Sequence, residues 1–251
     1  MASRFDATLN GVSLLQTVPG IIVVDIEYDP AEIEDVSMEK GSGHGLIVTK
    51  RRFKGASVII RYDLSIYDPE ARQRAIWAVQ GWAINGGILR TSDRDGQRLK
   101  VRCSKAPSVG SALRWTNLLE VQFQADENPF WEADTESTTT ITGSGNLNVG
   151  GVVDNAPVSA TITSSSTIQQ VTVTCGQTSM TLSGISVATG TSIVIDYDDN
   201  GFLRIKAGNT SLMQYRTGSD DLLAPCGKRT TVSVSANVDV SCVLRARGRW
   251  L

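Results

Sequence analysis

YDLSIYDPEARQRAIWAVQGWAINGGILRTSDRDGQRLKVRC (Tyr62–Cys103) reads as strand, helix and hairpin in that order. Asp68 is placed to cap a helix. Pro69 suits the first helical position, where its missing N–H would have no partner anyway. Glu70 puts a carboxylate in the first turn, where the helix dipole favours it. Ala71, Ala75, Ala78 and Trp82 then share one stripe, with Ile76, Val79 and Ala83 beside it. The spacing predicts a helix over about 69–84, stopped by Asn85-Gly86-Gly87. The aromatic stripe reads as core rather than as a ligand box. Beyond the stop, two alternating runs flank SDRDGQR, with Asp95-Gly96 as the hairpin turn.

Outward from this block the chain is β-rich. GIIVVDIEYD (20–29) and KGASVIIRYDLSIYD (54–68) lead toward the helix. In RWTNLLEVQFQADENPFW (114–131), Leu119, Val121, Phe123 and Ala125 share one strand face. Composition changes at ENPFWEADTE (127–136): charges thin out, and Thr, Ser, Gly and Val dominate. We place the domain boundary there, giving residues 1–131 and 132–251. The Thr run at 135–142 reads as a linker or as a strand with polar outer positions. Thr is a good strand former, and the strand is the preferred reading. Beyond it, short alternating segments recur, and Asp199-Asn200-Gly201 marks a tight turn. The expected architecture is mainly β: a β-sandwich-like first domain carrying one helix, then a β-sandwich or jelly roll.

The totals narrow the function classes. The chain has 251 residues, 41% of them hydrophobic, and a formal charge of −2. A duplex-DNA reader is usually strongly basic, so this balance argues against one. No run approaches the length of a membrane helix, so no membrane insertion is expected. The start, MASRFDATLNG, lacks the apolar stretch of a secretory signal, pointing to folding in the cytoplasm. Cys103, Cys175, Cys226 and Cys242 lack paired metal-ligand spacing and read as reduced thiols, with a Cys175–Cys242 bridge left open.

Catalytic signals are sparse. The single histidine, His44, sits in GSGHGLI, which reads as a surface loop. DYDDNG (196–201) lacks the spacing and the later Glu of a calcium loop and reads as a turn. The second domain's only glutamates, Glu132 and Glu136, lie beside the boundary. No catalytic, cofactor-binding or metal-ligating residue is assigned, and the chain is not expected to be an enzyme. A cell-wall hydrolase would need an acid pair or a His partner that the sequence does not display. One basic cluster stands out: Lys50, Arg51, Arg52 and Lys54 in TKRRFKG. It is either the solvated end of a hairpin or an electrostatic contact surface. The acidic run DPAEIEDVSME (29–39) just before it is a ready partner, within the chain or across a subunit boundary.

The chain ends LRARGRWL (244–251). Alternation puts Cys242, Leu244, Ala246, Gly248 and Trp250 on one face, with Val243, Arg245, Arg247 and Arg249 on the other. The first set is expected to lie inward, Trp250 substantially buried, and the arginine heads in water.

Taken in order, several stretches resemble one family. They are LNGVSL (9–14), the helix-and-hairpin block, ENPFWEA, GSGNLNVGGVVDNAPVSATITSSS (143–166), TSIVIDYDDNGFLRIKAG (191–208), LLAPCGKRTTVSV (222–234) and the basic-aromatic end. Together they look like the distal tail protein of long non-contractile-tailed bacteriophages, over nearly the whole chain. A late Pro-Gly of that family reads Pro225-Cys226-Gly227 here.

The resemblance implies a virion structural protein at the tail tip, assembled in the bacterial host cytoplasm. It implies a hexamer, as one ring or two stacked, made by the N-terminal domains and leaving a channel for DNA passage without sequence-specific binding. It implies an outward-facing, galectin-like C-terminal domain. The implied partners are the tail tube protein, a tail-associated tip protein and receptor-binding proteins. The alternative is a carbohydrate-binding β-sandwich module for host-surface recognition. Its aromatic candidates would be Trp131, Tyr197, Phe202, Tyr215 and Trp250.

Overall fold

The computed structural model describes residues 5–39, 46–107, 118–153, 155–198 and 201–251, with the side chains of 39, 46–47 and 49–51 left aside. The protein is mainly β, with antiparallel sheets and two α-helices among the described residues. The chain divides into two compact units, residues 1–131 with Leu251, and residues 132–250.

The first unit opens with β1 (Ala7–Leu9), β2 (Val12–Ser13), α1 (Leu14–Thr17) and β3 (Ile21–Asp29). Next come β4 (Ile33–Glu39), β5 (Leu46–Phe53), β6 (Ala56–Leu64) and α2 (Pro69–Ala83). The hairpin β7 (Gly87–Thr91) and β8 (Gln97–Lys105) follows, then β9 (Leu118–Ala125). Strands run in the order β2-β1-β7-β8-β9-β6-β3, while β4 and β5 form a separate two-stranded ribbon. Alternation decides the sheet faces. Ala56, Val58, Ile60, Tyr62 and Leu64 of β6 are buried, as are Leu119, Val121, Phe123 and Ala125 of β9.

The α2 helix forms as its local signals demand. The Asp68 carboxylate accepts from the Ala71 N–H at 2.6 Å, and Pro69 occupies the first turn. Its exit is held by Asn10. Asn10 Oδ1 accepts from the Ile88 N–H, and its Nδ2 donates to the Gly86 carbonyl. Gly87 has φ 133°, and a Cβ there would collide with Asn10. The buried stripe is rotated from the expected one: Arg72, Ala75, Ile76, Val79 and Ala83 point inward. Ala71, Ala78 and Trp82 are only partly buried. Arg72 takes an inward position because its Nη1 reaches the Leu64 carbonyl at 3.3 Å. Trp82 lies at the margin, stacked edge-on against Phe123 and donating to the Val12 carbonyl at 2.9 Å. The α1 helix was not expected. It is one turn, capped by Ser13, whose Oγ accepts from the Gln16 N–H at 3.3 Å.

After β10 (Trp131–Ala133), the second unit begins with β11 (Ser137–Ile141), β12 (Ser144–Val149), β13 (Asn155–Ser164) and β14 (Ile168–Cys175). Then come β15 (Thr178–Val187), β16 (Ile193–Tyr197), β17 (Leu203–Ala207), β18 (Thr210–Ser211) and β19 (Arg216–Gly218). β20 (Leu223–Pro225), β21 (Lys228–Ala236), β22 (Val240–Ala246) and β23 (Arg249–Trp250) complete it. One sheet runs β11-β22-β13-β16-β17-β18, with β20 on β13; the other runs β12-β21-β14-β15-β19. Their inward faces share one core, which includes Ile162, Val173, Met180, Ile195, Val232 and Leu244. Threonines take the outward positions, where Thr172 and Thr181 hydroxyls meet across strands at 2.9 Å. The Thr run is therefore a strand, β11. The turn between β16 and β17 is flanked by the Gly201 N–H donating to the Asp198 carbonyl; Asp199 and Asn200 lie outside the described residues.

The ending departs from a single continuous strand. β22 stops at Ala246, and β23 resumes at Arg249. Cys242, Leu244, Ala246 and Gly248 are buried as expected, but Trp250 is only partly so. The arginines are not simply in water. Arg245 Nη1 donates to Thr161 Oγ1 at 3.3 Å. Arg247 Nη1 donates to the Ala133 and Asp134 carbonyls, and its Nη2 pairs with Glu136 at 3.2 Å. Arg249 Nη2 pairs with Glu132 at 3.2 Å, both side chains largely shielded. The two glutamates at the head of the unit are thus the anchors for its tail. Backbone approach completes the closure. The Ala133 N–H donates to the Gly248 carbonyl at 2.9 Å, and the Val152 N–H to the Arg249 carbonyl at 2.8 Å. A Cβ at Gly248 would come 2.7 Å from the Gly150 carbonyl oxygen.

Removing one partner of a shielded pair leaves the other uncompensated. Arg249→Leu and Glu132→Gln should each destabilise the second unit by about 1–3 kcal/mol. The double variant should cost less than the sum in a denaturant double-mutant cycle, and strict additivity would show that the pair contributes nothing.

Candidate functional site

The basic cluster sits on the ribbon. Backbone register places Glu34 opposite Arg52, Asp35 opposite Arg51 and Val36 opposite Lys50, with a bulge in β5 between Val48 and Lys50. Lys54 Nζ lies 3.5 Å from Glu34, and its N–H donates to the Glu32 carbonyl. The acidic run therefore meets the basic run strand to strand within the chain. The side chains of Lys50 and Arg51, and the whole of His44, lie outside the described residues. Ile33, Val36, Met38 and Val48 are exposed along the same ribbon. A ribbon of two strands is only marginally stable unless it packs against another element.

The first unit's main sheet carries a charge lattice on its open face. Arg61 bridges Asp25, at 3.1 Å, and Glu27 on the neighbouring strand. Lys105 holds Glu120 at 2.6 Å, and Lys100 holds Glu127 at 2.8 Å. The Lys105 ammonium keeps the Glu120 carboxyl below its usual range. Arg61, Lys100 and Lys105 are thus each neutralised in place by a carboxylate.

One cluster was invisible in the sequence. The Arg94 guanidinium lies 4.5 Å from the Tyr28 ring centre and 4.9 Å from that of Trp131. Tyr28 and Trp131 meet edge to face at 5.6 Å, and the Tyr28 hydroxyl donates to Asp93 at 2.6 Å. Burial and the Asp93 carboxylate both push the Tyr28 phenol upward. The turn before β8 is thereby tied to β3. Its signal was an Asp-Arg pair inside a hairpin turn, which local spacing reads only as turn chemistry.

In the second unit, a shallow groove is lined by hydroxyls, including Thr142, Thr163, Ser165, Thr189 and Ser241, with Asp239. No aromatic ring lines it. Of the aromatic candidates, Trp131 is buried, and Tyr197, Tyr215 and Trp250 are partly buried; only Phe202 is widely exposed. The Tyr197 hydroxyl is engaged with the Leu222 backbone, and burial pushes its phenol up to about 12. Among the described residues, no three His, Cys, Asp or Glu side chains cluster as metal ligands. None of the four cysteines is in a disulfide. Burial raises Cys175 to about 11 and Cys242 to about 12, which leaves both as inert packing groups.

No protein-family model matches the chain, and no curated protein matches it in sequence. Among solved structures, the chain is similar to the crystal structure of the SPP1 Dit protein (gp 19.1), a paradigm of the hub adsorption apparatus in phages infecting Gram-positive hosts. The likeness covers 97% of this chain and 98% of that one, at TM-score 0.69 and 12% identity. It establishes a Dit-like fold. A chain of the phage P2 baseplate in its activated conformation with Ca aligns over 99% of this chain and 98% of that one. At TM-score 0.42 and 7% identity, that alignment carries no weight.

Thiol chemistry tests the burial. At pH 8, a thiol reagent should modify native Cys103 at most, and the other three only after unfolding. Rapid labelling of all four would contradict the packing. A thiol whose folded pKa is raised contributes full stability below its unfolded value near 9. Heat stability should therefore fall as pH climbs from 9 toward the folded values of Cys175 and Cys242.

Proposed function

We propose that the chain is a structural hub protein of a phage tail tip. In this reading it assembles as a ring, joins the tail tube to the tip or receptor-binding apparatus, and leaves a channel through which DNA passes. The near full-length likeness to a Dit hub protein carries the proposal. The distribution of exposed apolar surface supports it independently. Of the large apolar side chains exposed among the described residues, only Val152, Phe202 and Met213 belong to the second unit; the first unit holds the rest. Apolar surface left in water marks interaction sites.

The first unit is accordingly the assembling one, and the second closes on itself and faces outward. Subunits meet head to tail, because a ring needs two unlike surfaces on each copy. The catalytic role is nil in this reading; the protein works by shape and contact. The neutralised lattice of Arg61, Lys100 and Lys105 suits a wall that DNA passes without adhering.

Light scattering of the purified protein across a concentration series tests this. The expected masses converge on six chains, with dimers and trimers below saturation. A monomer at every concentration, even with tail tube protein added, contradicts the hub role.

A further inference from the structure

The two strands of the β4–β5 ribbon carry opposite charge. β4 (Ile33–Glu39) holds Glu34, Asp35 and Glu39 and no base, while β5 (Leu46–Phe53) holds Lys50, Arg51 and Arg52 and no acid. Among the described strands the two pair only with each other. Each therefore keeps one outer edge, whose backbone N–H and C=O groups have no ladder partner among those strands. On the inner side, Glu34 stands opposite Arg52 and Asp35 opposite Arg51. Apolar side chains accompany the charges: Ile33, Val36, Met38 and Val48 are exposed. Two strands alone make a marginal sheet, and three or more with an apolar face make a stable one.

Open edges invite pairing, and the charges decide with what. Charged side chains on an edge are a common guard against edge-to-edge association. Here the guard has opposite sign on the two edges. Two β4 edges brought together would set acid against acid, and two β5 edges base against base. Like charges directly opposite each other destabilise a strand pair. β5 of one copy against β4 of another sets base against acid. The chain thus bears its own complement, which makes a second copy the occupant. The two edges are unlike, as a closing head-to-tail contact requires. Repeating the ribbon side by side around one axis also keeps strand directions alternating. β5 then meets the next β4 antiparallel, the slightly more stable arrangement.

We infer that the ribbons of successive copies join edge to edge, β5 of one pairing with β4 of the next, into one continuous sheet. This rests on the ring reading above and names its contact. In that sheet Glu34 and Asp35 lie on an acidic strand flanked by a basic strand on each side. The outer backbone groups of both strands enter the ladder.

Two experiments on the full chain test the contact, with mass measured on every sample. In the first, both cross-strand pairs are swapped in one chain: Glu34→Arg with Arg52→Glu, and Asp35→Arg with Arg51→Asp. Opposite charges still face each other inside the ribbon, but at these positions its edges have traded sign. Swapped chains should form rings among themselves. Mixed with parent chains below the assembly concentration and then concentrated, the two should sort, with mixed rings about tenfold or more below their statistical share. In the second, hydrogen exchange is followed on parent protein below and above that concentration. Amides in residues 33–39 and 46–53 should exchange about tenfold or more slowly in the ring. Should the swapped chain misfold, this measurement on the parent decides alone. Rings that mix statistically, or rings whose β4 and β5 amides exchange no more slowly, overturn the contact and leave the ring reading standing. Swapped chains that fold yet make no rings of their own overturn it too. Protection of only one of the two strands would indicate that the ribbon pairs with another element, and also overturns it. Monomers at every concentration overturn the ring reading itself and the contact with it.

Discussion

The second unit depends on a closure between its two chain ends. β22 lies between β11 and β13, so the last long strand is hydrogen-bonded to the first. Arg247 and Arg249 then fasten the following residues to Glu136 and Glu132, and Gly151 and Gly248 let the backbones approach. Each element alone is modest. A partly shielded ion pair is weak evidence of stability by itself, because desolvation offsets much of the attraction. Here the pairs act with backbone hydrogen bonds from Ala133, Val152 and Val153, which only this approach can satisfy. With the ends joined, both sheets bury their apolar faces in one core, and few large apolar side chains remain outside.

The first unit is resolved differently. Its sheet buries one face under α2 and neutralises charges on the other, but the ribbon and the outer stripe of α2 stay apolar and exposed. A chain that completes one unit and leaves the other unfinished is suited to assembly. That contrast, together with the Dit-like fold, supports the structural role better than any single side chain does. The hydroxyl-lined groove, and a single widely exposed ring, Phe202, among the five aromatic candidates, give the carbohydrate-binding alternative little on which to stack a sugar ring.

Much of the fold was legible because its signals are local. Asp68-Pro69 and Asn85-Gly86-Gly87 bound α2 within a residue or two, and period-two alternation identified the buried face of β9. What escaped depends on residues distant in sequence. The phase of the α2 stripe shifted because Arg72 bonds to the Leu64 carbonyl, a tertiary fact. The α1 helix is one turn long and has no period to detect. The arginines of the ending read as a wet face because their partners lie far earlier in the chain, those of Arg247 and Arg249 more than a hundred residues away. The basic run and its acidic neighbour were both visible, but their pairing needed the ribbon register. The exposed stripe of α2 was not legible at all, since Trp77 and Ile84 look like core residues until the sheet's position is known.

Negative-stain imaging of the purified protein tests the central claim most directly. The account predicts ring-shaped particles with six-fold averages and a central hole, the first units forming the inner wall. Compact single particles at all concentrations, or open filaments that never close, would contradict it.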